Sequence, residues 1–524
     1  MKRLFLALAG LIPSLAAAQA TPFVAPSDPV YRHLANLAGA GLLSTYIVGV
    51  RPLTEREILR LLGEARGELD AHPSAGDWAQ AVVTADVARF TRGAPRPIDA
   101  AMVEGAAMRS PYRGIPPDGN GFVDAAINPL AADREGRPIA DGATVTIETQ
   151  HSALLGSHLA LSLDPRLTFE AQRGSVSSAH LRLQSGAADF VFGNLSLEAG
   201  RDHAIFGQSP TGGLMLSENA PTFDMVRLSN DAPFTLPWWL GVLGPMRGTV
   251  FIADLGAHQF HPHAKLAAYK VAALPSSHFE IGVEVDDAMG GNGGQPASVG
   301  DRILDALAIP DVFRKHSDFQ FSNKMAGADV HWRMPGWHGF DLYEETVIDD
   351  FDARRLRSVF LDDGGYLAGL AFSCIIECGR LGVRAEYRQT GIRFYTHGDY
   401  PLAENGLVLG DALGPRGLGA YLTVDGESNT GQYYALAGAF EVRSGNLYAS
   451  AQNAPNAAGF HFIQLEHHPA EKRSRVLGTW MPALGDHRLS LRATAGLERV
   501  TNFAFVAGSD RTNFLASLGL VVRP

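Results

Sequence analysis

The sequence predicts an all-β transmembrane antiparallel β-barrel with a small N-terminal α-helical bundle. Three observations support this prediction. The chain starts with a signal peptide, most of its length consists of strand-like segments of about ten residues, and no apolar run after the signal peptide is long enough for a membrane helix. A secreted protein built from several soluble sheets is the alternative, because alternation of polar and apolar residues occurs in both classes.

The first 20 residues have the organisation of a secretory signal peptide. Two basic residues precede an apolar run, residues 4–15, and small residues follow up to Ala20. This order is typical of a signal peptide that is cleaved after Ala18 or Ala20. The apolar run is shorter than the about 20 residues that span a bilayer as a helix. We therefore predict that residues 1–20 direct export of the mature chain.

Residues 21–118 are predicted as a helical region. Asp28 precedes a helix with proline in its first turn, and Thr54 and Glu57 have the spacing of a capping box before a second helix. A third amphipathic helix is expected to begin near Asp77. Three short helices bury little apolar surface alone, so we expect them to pack on one another and on a larger body.

Residues 119–524 are predicted as an outer-membrane β-barrel. The period of the apolar residues changes here from 3.6 to 2, as in HLALSLD (158–164) and HFEIGVEVDD (278–287). About ten residues per strand, with connections of comparable length, give on the order of 16 to 20 strands. Residues 514–522 alternate in the same way and are expected to form the closing strand.

The net charge limits the classes of partner that we expect, and the cysteines suit the compartment to which the chain is exported. The net charge is −11 and no basic cluster is present, so nucleic acid is not expected as a partner. Outer-membrane lipid is the expected surroundings of the barrel. Cys374 and Cys378 suit an exported protein. The sequence leaves open whether they form a disulfide or stay as thiols, because it does not give the separation of their Cα atoms.

No pattern of residues indicates catalysis or metal binding. The densest imidazole group is His258, His261 and His263. We interpret it as a solvated loop rather than a zinc site, because Pro262 indicates a turn and the spacing supplies no carboxylate ligand. Adjacent aspartates, as at 286–287, point to opposite faces of a strand and do not form the carboxyl pair of a glycosidase. We predict no catalytic residue, no metal and no cofactor.

An aperiodic run, residues 200–245, interrupts the alternation. It contains Gly-Arg at 200–201, Phe-Gly at 206–207, LMLSENAPTF at 214–223 and Leu-Gly-Pro at 243–245. This order resembles the signature of the capsule assembly protein Wzi family. The resemblance implies an 18-stranded barrel with a helical bundle at the periplasmic end, acting as a lectin-like attachment point for surface polysaccharide. Residues 206–209 depart from the signature, which has a Trp-Gly-Pro-Gly-like piece there.

The same run offers side chains that suit sugar binding. Aromatic rings stack on sugar faces, and a few polar groups fix orientation by hydrogen bonds. The candidates are Phe223, Trp238 and Trp239 for stacking, and Arg201, Glu218, Asn219 and Asp224 for hydrogen bonding. The two tryptophans equally suit a membrane interface. Irregular backbone is not tolerated in lipid, so we expect the run to form an ordered constriction in or over the lumen.

The sequence therefore predicts a monomeric, non-enzymatic outer-membrane protein that binds capsular or extracellular polysaccharide and helps attach or assemble it at the cell surface. A carbohydrate- or solute-selective porin is the alternative, with ionic inward faces lining water. A secreted polysaccharide-degrading enzyme is a third and weaker option. The first two differ in the lumen, which is plugged in an attachment protein and open in a porin.

Overall fold

The computed structural model covers ten stretches of the chain. It describes residues 20–71, 76–91, 98–111, 113–114, 125–298, 300–302, 322–349, 363–451, 461–484 and 488–523. The predicted signal peptide, apart from Ala20, lies outside the described residues. Within the described part of the chain, no helix is both long enough and apolar enough to cross a membrane.

Eighteen long antiparallel strands form one closed barrel. In chain order they are β1 (Ala100–Arg109), β2 (Gly142–Leu155), β3 (Leu159–Gln172), β4 (Ser178–Phe192), β5 (Leu195–Asp202), β6 (Phe223–Asn230), β7 (Pro245–Asp254), β8 (Lys265–Ser276), β9 (Phe279–Met289), β10 (Ser322–Met334), β11 (Phe340–Asp349), β12 (Gly364–Phe372), β13 (Gly382–Thr390), β14 (Gly417–Glu427), β15 (Tyr433–Arg443), β16 (Glu471–Met481), β17 (Leu489–Thr501) and β18 (Arg511–Val522). Each strand pairs with the next and β18 pairs with β1, which leaves the barrel without an open edge. The predicted all-β barrel of about 18 strands is confirmed.

The barrel begins earlier in the chain than the predicted boundary after residue 118. Strand β1, Ala100–Arg109, falls within the region predicted as helical, yet it closes the barrel between β2 and β18. Its sequence, AAMVEGAAMR, is rich in alanine and glycine. These small residues give little contrast between the two faces of a strand, which hid the alternation. The predicted boundary is therefore wrong.

Among the described residues, three helices precede the barrel: α1 (Pro29–Gly39), α2 (Glu55–Ala71) and α3 (Asp77–Phe90). Their positions agree with the predicted starts. Asp28 accepts a hydrogen bond from the Val30 amide at 3.0 Å, and the Thr54 hydroxyl accepts one from the Glu57 amide at 3.2 Å. Trp78 is fully buried among the apolar faces of the three helices.

The helices lie at one end of the barrel, which we term the helical end. Arg32 and His33 of α1 bind Glu427, the last residue of β14, and the Trp78 amide donates to Glu377 in the connection between β12 and β13. That connection also holds a disulfide between Cys374 and Cys378, one of the two arrangements the sequence left open. The opposite end carries the longer connections and is termed the loop end.

The ionic face of the strands points into the barrel. In β9, Glu280 and Glu284 are buried while Val283 between them is half exposed on the outside. The sequence alone left this ionic face to line either a lumen or a soluble surface. The closed barrel turns it inward and leaves an apolar outer wall.

In the part of the chain that the structure describes, three segments enter the lumen: residues 42–54, residues 203–222 between β5 and β6, and residues 391–416 between β13 and β14. Val50–Arg51 pairs with Ile205–Phe206 as a short two-stranded sheet. The Tyr395 hydroxyl donates to the Leu214 carbonyl, and a Cβ at Gly410 would lie 1.9 Å from the same oxygen. The close approach of these two segments therefore depends on glycine at 410.

Short elements complete the fold. Two-residue strands pair as Arg113–Gly114 with Ala126–Ile127 and Ala403–Glu404 with Leu407–Val408, Leu447–Ala451 pairs with His461–Glu466, and Phe234–Thr235 extends the sheet beside β7. Single 3-10 turns occupy Pro129–Ala131, Trp238–Leu243 and Phe503–Phe505.

Candidate functional site

Residues 203–222, termed the crossing loop, span the lumen. At one side the Ser209 hydroxyl donates to Glu386 of β13 at 2.8 Å. At the other, the Thr222 hydroxyl donates to the carbonyl of Gln184 in β4 at 2.6 Å. β4 and β13 lie opposite each other in the ring of 18 strands. The loop therefore bridges the whole lumen, as expected for the run 200–245, but residues 223–230 of that run form the barrel strand β6 instead.

Inward-facing charges hold the middle of the crossing loop. The Gln208 amide group donates to Glu280 at 2.9 Å and to Asp329 at 2.5 Å, and the Leu214 amide donates to Glu345 at 2.7 Å. Glu280, Asp329 and Glu345 are all fully buried. Buried carboxylates are tolerated only when they are hydrogen-bonded or paired. The ionic faces of these strands thus bind the loop instead of lining open water.

A buried lysine completes this network. Lys270 of β8 lies against Asp329 and donates to Glu284 at 2.7 Å. The carboxylate of Glu280 also accepts from the amides of Val48 and Gly49 in the first lumen segment, at 3.0 and 2.9 Å. One set of charged side chains therefore fixes both segments to the same side of the barrel wall.

Two of the predicted sugar-binding residues serve the packing of the crossing loop. The Asn219 side chain donates to the carbonyl of Val408 at 2.8 Å and is buried. Phe223 is fully buried, with its ring stacked on Phe251 at a centroid distance of 6.1 Å. Neither side chain presents a free surface in this structure. They hold the crossing loop and the segment 391–416 in place.

Glu218 faces a cavity on the other side of the crossing loop. This cavity has a volume of about 330 Å³ and lies between α1 and the loop. Burial, together with the carboxylates of Glu135 and Asp133, raises the pKa of Glu218 to about 8. Its side chain is therefore protonated and uncharged at neutral pH, and it can donate a hydrogen bond there.

Arg201 and Asp224 form a bidentate ion pair on the loop-end side. They are directly opposite in β5 and β6, with Nε to Oδ1 at 2.7 Å and Nη2 to Oδ2 at 2.5 Å. Asp224 is exposed and Arg201 is partly exposed. The geometry brings these two predicted residues together as a rigid polar surface.

Trp238 and Trp239 lie elsewhere. They sit on the 3-10 turn between β6 and β7, at the helical end, and are 83% and 78% exposed. The length of strand β6 separates them from the pair formed by Arg201 and Asp224. The structure therefore does not join the predicted aromatic and polar residues into one site.

A second cavity, of about 380 Å³, is bounded by the crossing loop and the inner faces of β3, β4 and β5. We term it the loop-end cavity. Charged residues of the strands line it on one side, and Pro221 and Thr222 of the crossing loop line it on another. Gly136, at a φ of 69°, closes against Pro221, where a Cβ would lie 2.5 Å from the proline Cα. The polar side chains from the strands are Arg166, Thr168, Glu170, His180, Arg182, Gln184 and Arg201.

Of these lining residues only Arg201 was predicted from the sequence. The polar positions of HLRLQ (180–184) were visible as one face of a strand, but the sequence does not give the pairing that sets Arg182 opposite Arg166. A volume of this size is within the range of small-ligand sites. Arginine, histidine and glutamate together provide hydrogen-bond donors and acceptors suited to a polar ligand.

No metal site emerges from the geometry. Within the described ranges, no group of three or more His, Cys, Asp and Glu side chains is placed to hold a metal ion. His261 packs against Tyr400 and His263 faces Asp254 at 3.2 Å, so two of the three clustered histidines have separate surroundings.

Comparison with known proteins relates this chain to one family and to solved structures. A family model of the capsule assembly protein Wzi matches residues 122–515. Wzi of Escherichia coli, described as an outer-membrane protein involved in group 1 capsule assembly and a carbohydrate-binding β-barrel, superposes with a TM-score of 0.69 at 16% identity, over 96% of this chain and 99% of that chain. OprD of Pseudomonas aeruginosa gives a TM-score of 0.44 at 10% identity, over 82% of this chain and 96% of that chain. A search of curated sequences returns no match.

The family match covers most of the chain and includes the whole crossing loop with its LMLSENAPTF run. It agrees with the architecture, since the barrel superposes over nearly the full length of the E. coli protein. The resemblance seen in the sequence is confirmed. This chain belongs to the capsule assembly protein Wzi family.

Proposed function

We propose that this protein is a non-enzymatic outer-membrane protein that binds surface polysaccharide at its loop end and helps attach it to the cell during capsule assembly. The observation that carries the proposal is a polar loop-end cavity above a lumen that the crossing loop bridges from wall to wall. Membership of the Wzi family and the carbohydrate binding described for the E. coli protein support the same function.

The outer wall supports residence in a membrane. Large apolar side chains such as Leu163, Val226 and Leu497 are 49%, 55% and 63% exposed on the outside of the strands. A contiguous apolar surface of this kind is costly in water and favourable in lipid. The exposed tryptophans gather at the helical end, as Trp238, Trp239, Trp332, Trp337 and Trp480.

The lengths of the connections between strands support one orientation of the barrel in the membrane. Several at the helical end are short, such as residues 193–194 and 277–278, whereas the loop end carries long connections such as 391–416. Outer-membrane barrels have short periplasmic turns and longer extracellular loops. The helical end, with residues 21–91, accordingly faces the periplasm, and the loop-end cavity faces the outside of the cell.

A solute-selective porin is the competing function. Its support was the ionic inner face of the strands, but Glu280, Asp329 and Glu345 use their charges to bind the crossing loop. In planar bilayers the purified protein is expected to pass little current. A steady open-channel conductance would support the porin and contradict the attachment function.

The cellular test is deletion of the gene in its host followed by separate measurement of cell-bound and released polysaccharide. We expect polysaccharide to move from the cell-bound fraction to the medium, and the wild-type gene to restore it. Heat-modifiability of the expressed protein on gels checks that the barrel has assembled. An unchanged cell-bound fraction in the deletion strain would overturn the proposal.

A further inference from the structure

Two arginines face each other in the wall of the loop-end cavity. Arg166 of β3 and Arg182 of β4 are direct partners in the antiparallel register, and both line the cavity. Like charges directly opposite each other on one face of a sheet are destabilising. Because the contact between the two arginines is itself unfavourable, the reason for the pair lies in another interaction.

The buried guanidinium of Arg166 forms no direct ion pair, although Glu148 of β2 is its register partner. Arg166 is only 5% exposed, and no carboxylate of the described residues lies within ion-pair distance of it. Its Nη1 donates to the side-chain oxygen of Gln184, and its Nε is buried without a partner. Nη2 has no partner either, and it is not among the buried atoms, so it faces the cavity. A buried cation without a partner is costly.

Other arginines near the cavity are neutralised. Arg201 binds Asp224, and Arg137 binds Glu148 at 2.7 Å and also Glu135. Glu148 is the register partner of Arg166, but both of its carboxylate oxygens accept from Arg137, at 3.0 and 2.7 Å, which leaves Arg166 without a direct ion pair.

Glu170, the carboxylate that the strands contribute to the cavity wall, is too far from Arg166 to form an ion pair with it. Glu170 lies on the same face of β3 as Arg166, four residues further on, and their Cα atoms are therefore about 13 Å apart. It balances part of the overall charge of the cavity without pairing with the arginine.

Arg166 is also held in position. Gln184 donates from its side-chain nitrogen to the Glu135 carbonyl at 2.9 Å, which fixes its oxygen towards Arg166. The Gln184 carbonyl in turn accepts from Thr222 of the crossing loop. A donor that is fixed before its ligand arrives loses little conformational freedom on binding.

We propose that the loop-end cavity binds a carboxylate-bearing sugar unit of the surface polysaccharide, with Arg166 and Arg182 holding the carboxylate. This inference rests on the proposed polysaccharide binding and specifies the chemical class of the ligand. Arg166 donates from the depth of the cavity and Arg182 from its more exposed rim. An anion between them replaces repulsion with two charge-assisted hydrogen bonds.

The test uses the full-length protein in detergent micelles and two probes made from one material. The first probe is a fragment preparation of the host's own surface polysaccharide. The second is the same preparation after chemical reduction of its carboxyl groups to primary alcohols, which removes the charge and keeps the sugar backbone. Binding is measured by calorimetry at a fixed salt concentration, because electrostatic contributions depend on ionic strength.

We expect the native fragments to bind at least about tenfold more tightly than the reduced ones, since each charge-assisted hydrogen bond contributes strongly to binding. Arg166→Gln and Arg182→Gln should each weaken binding of native fragments by roughly tenfold and reduce the difference in affinity between native and reduced fragments. Arg173→Gln is the matched control, because Arg173 follows β3 at the same end, is largely exposed and lies outside the cavity wall.

The outcomes separate this inference from the function on which it rests. Equal binding of native and reduced fragments would overturn the carboxylate site and leave polysaccharide binding standing. A lack of binding to both would contradict the proposed function, and the inference with it. Inorganic phosphate competes for the same two guanidinium groups, so it should reduce the preference for native fragments, and a preference that phosphate leaves intact would place the carboxylate elsewhere and overturn the inference.

Discussion

The two ends of the barrel use charged residues in opposite ways. At the helical end, His33 lies between Asp86 and Glu427, at 2.6 and 3.1 Å, and Arg32 binds the same glutamate at 2.9 Å. At the loop end, Arg166 and Arg182 face each other, and within the described residues neither forms a direct ion pair with a carboxylate. Paired charges join one part of the chain to another, whereas unpaired buried charge leaves interaction energy available to a ligand. The comparison assigns attachment of the helices to the helical end and, under the proposed function, binding of the polysaccharide to the loop end.

The largest expected effect on stability comes from a substitution in the core of the three helices. Trp78→Ala removes a fully buried side chain from the packing of the three helices, and we expect a loss of about 3 to 5 kcal/mol in the stability of that region. Limited proteolysis measures it as faster cleavage of the helical region. The exposed Gln80→Ala on the same helix is the control, expected within about 0.5 kcal/mol of wild type. Loss of polysaccharide binding in a Trp78→Ala variant whose barrel is intact would contradict the separation of the two ends.

The helical end is also expected to loosen at alkaline pH. Burial disfavours the charged form of His33, but attraction from Asp86 and hydrogen bonds to Asp86 and Glu427 outweigh it and raise its pKa to about 9. The folded-state pKa is above the unfolded value near 6.5, so this contribution is complete below pH 6.5 and is lost as the pH rises through 9. It amounts to at most about 3 kcal/mol.

Proteolysis of the helical region at pH 6 and at pH 9.5 measures this effect. We expect cleavage to be faster at the higher pH in the wild type, and the difference to shrink in His33→Gln. Equal rates at both pH values in the wild type would show that this ion pair does not hold the helices to the barrel.

A smaller change should open the lumen between the two ends. Gly410→Ala places a Cβ against the Leu214 carbonyl, and we expect the crossing loop and segment 391–416 to separate at a cost of about 1 to 3 kcal/mol. Planar-bilayer recordings should then show current that the wild type lacks. Gly105→Ala in β1, where the added Cβ meets no neighbour within 4 Å, is the matched control. Current of the same size from wild type and Gly410→Ala would argue against the loop as the barrier.

The smallest expected effect concerns the exposed tryptophans. Replacing Trp238 and Trp239 by alanine should leave fold stability within about 0.5 kcal/mol and polysaccharide binding unchanged. Quenching of tryptophan fluorescence by brominated lipid should fall in this variant, because interfacial tryptophans lie at headgroup level. A clear loss of polysaccharide binding would instead favour their role in sugar stacking and weaken the assignment of binding to the loop end.

The periodicity of the sequence was sufficient to predict the barrel, and the capping residues were sufficient to predict where the helices begin. Strands such as Arg511–Val522 follow from alternation, because every strand that separates lipid from lumen must present one apolar and one polar face. β1 escaped detection because its alanines and glycine give weak contrast. The signature around Asn219 and Phe223 located the crossing loop, although burial of these two residues depends on contacts with Val408 and Phe251, far away in the chain.

The candidate site was less predictable than the fold. Arg201 lies in the run that resembles the Wzi signature, but Arg166 and Arg182 carry no local signal beyond their place on a polar face. Their pairing depends on the register of β3 against β4, and a shift of one residue would move every side chain to the other face. Register is set by the closed barrel as a whole, so neither the arginine pair nor the binding of Glu148 to Arg137 instead of Arg166 can be predicted from a single strand.

The crossing loop also acts as a mechanical strut. A barrel wall is held only by its neighbouring strands, so an untied ring of 18 strands can flatten into an ellipse. Bonds to Gln184 on one wall and to Glu386 on the opposite wall fix the diameter between them. Gln184 is also the residue that orients Arg166. The strut that crosses the lumen thereby sets the width of the cavity above it, and distortion of the barrel by the surrounding membrane is resisted where a ligand would bind.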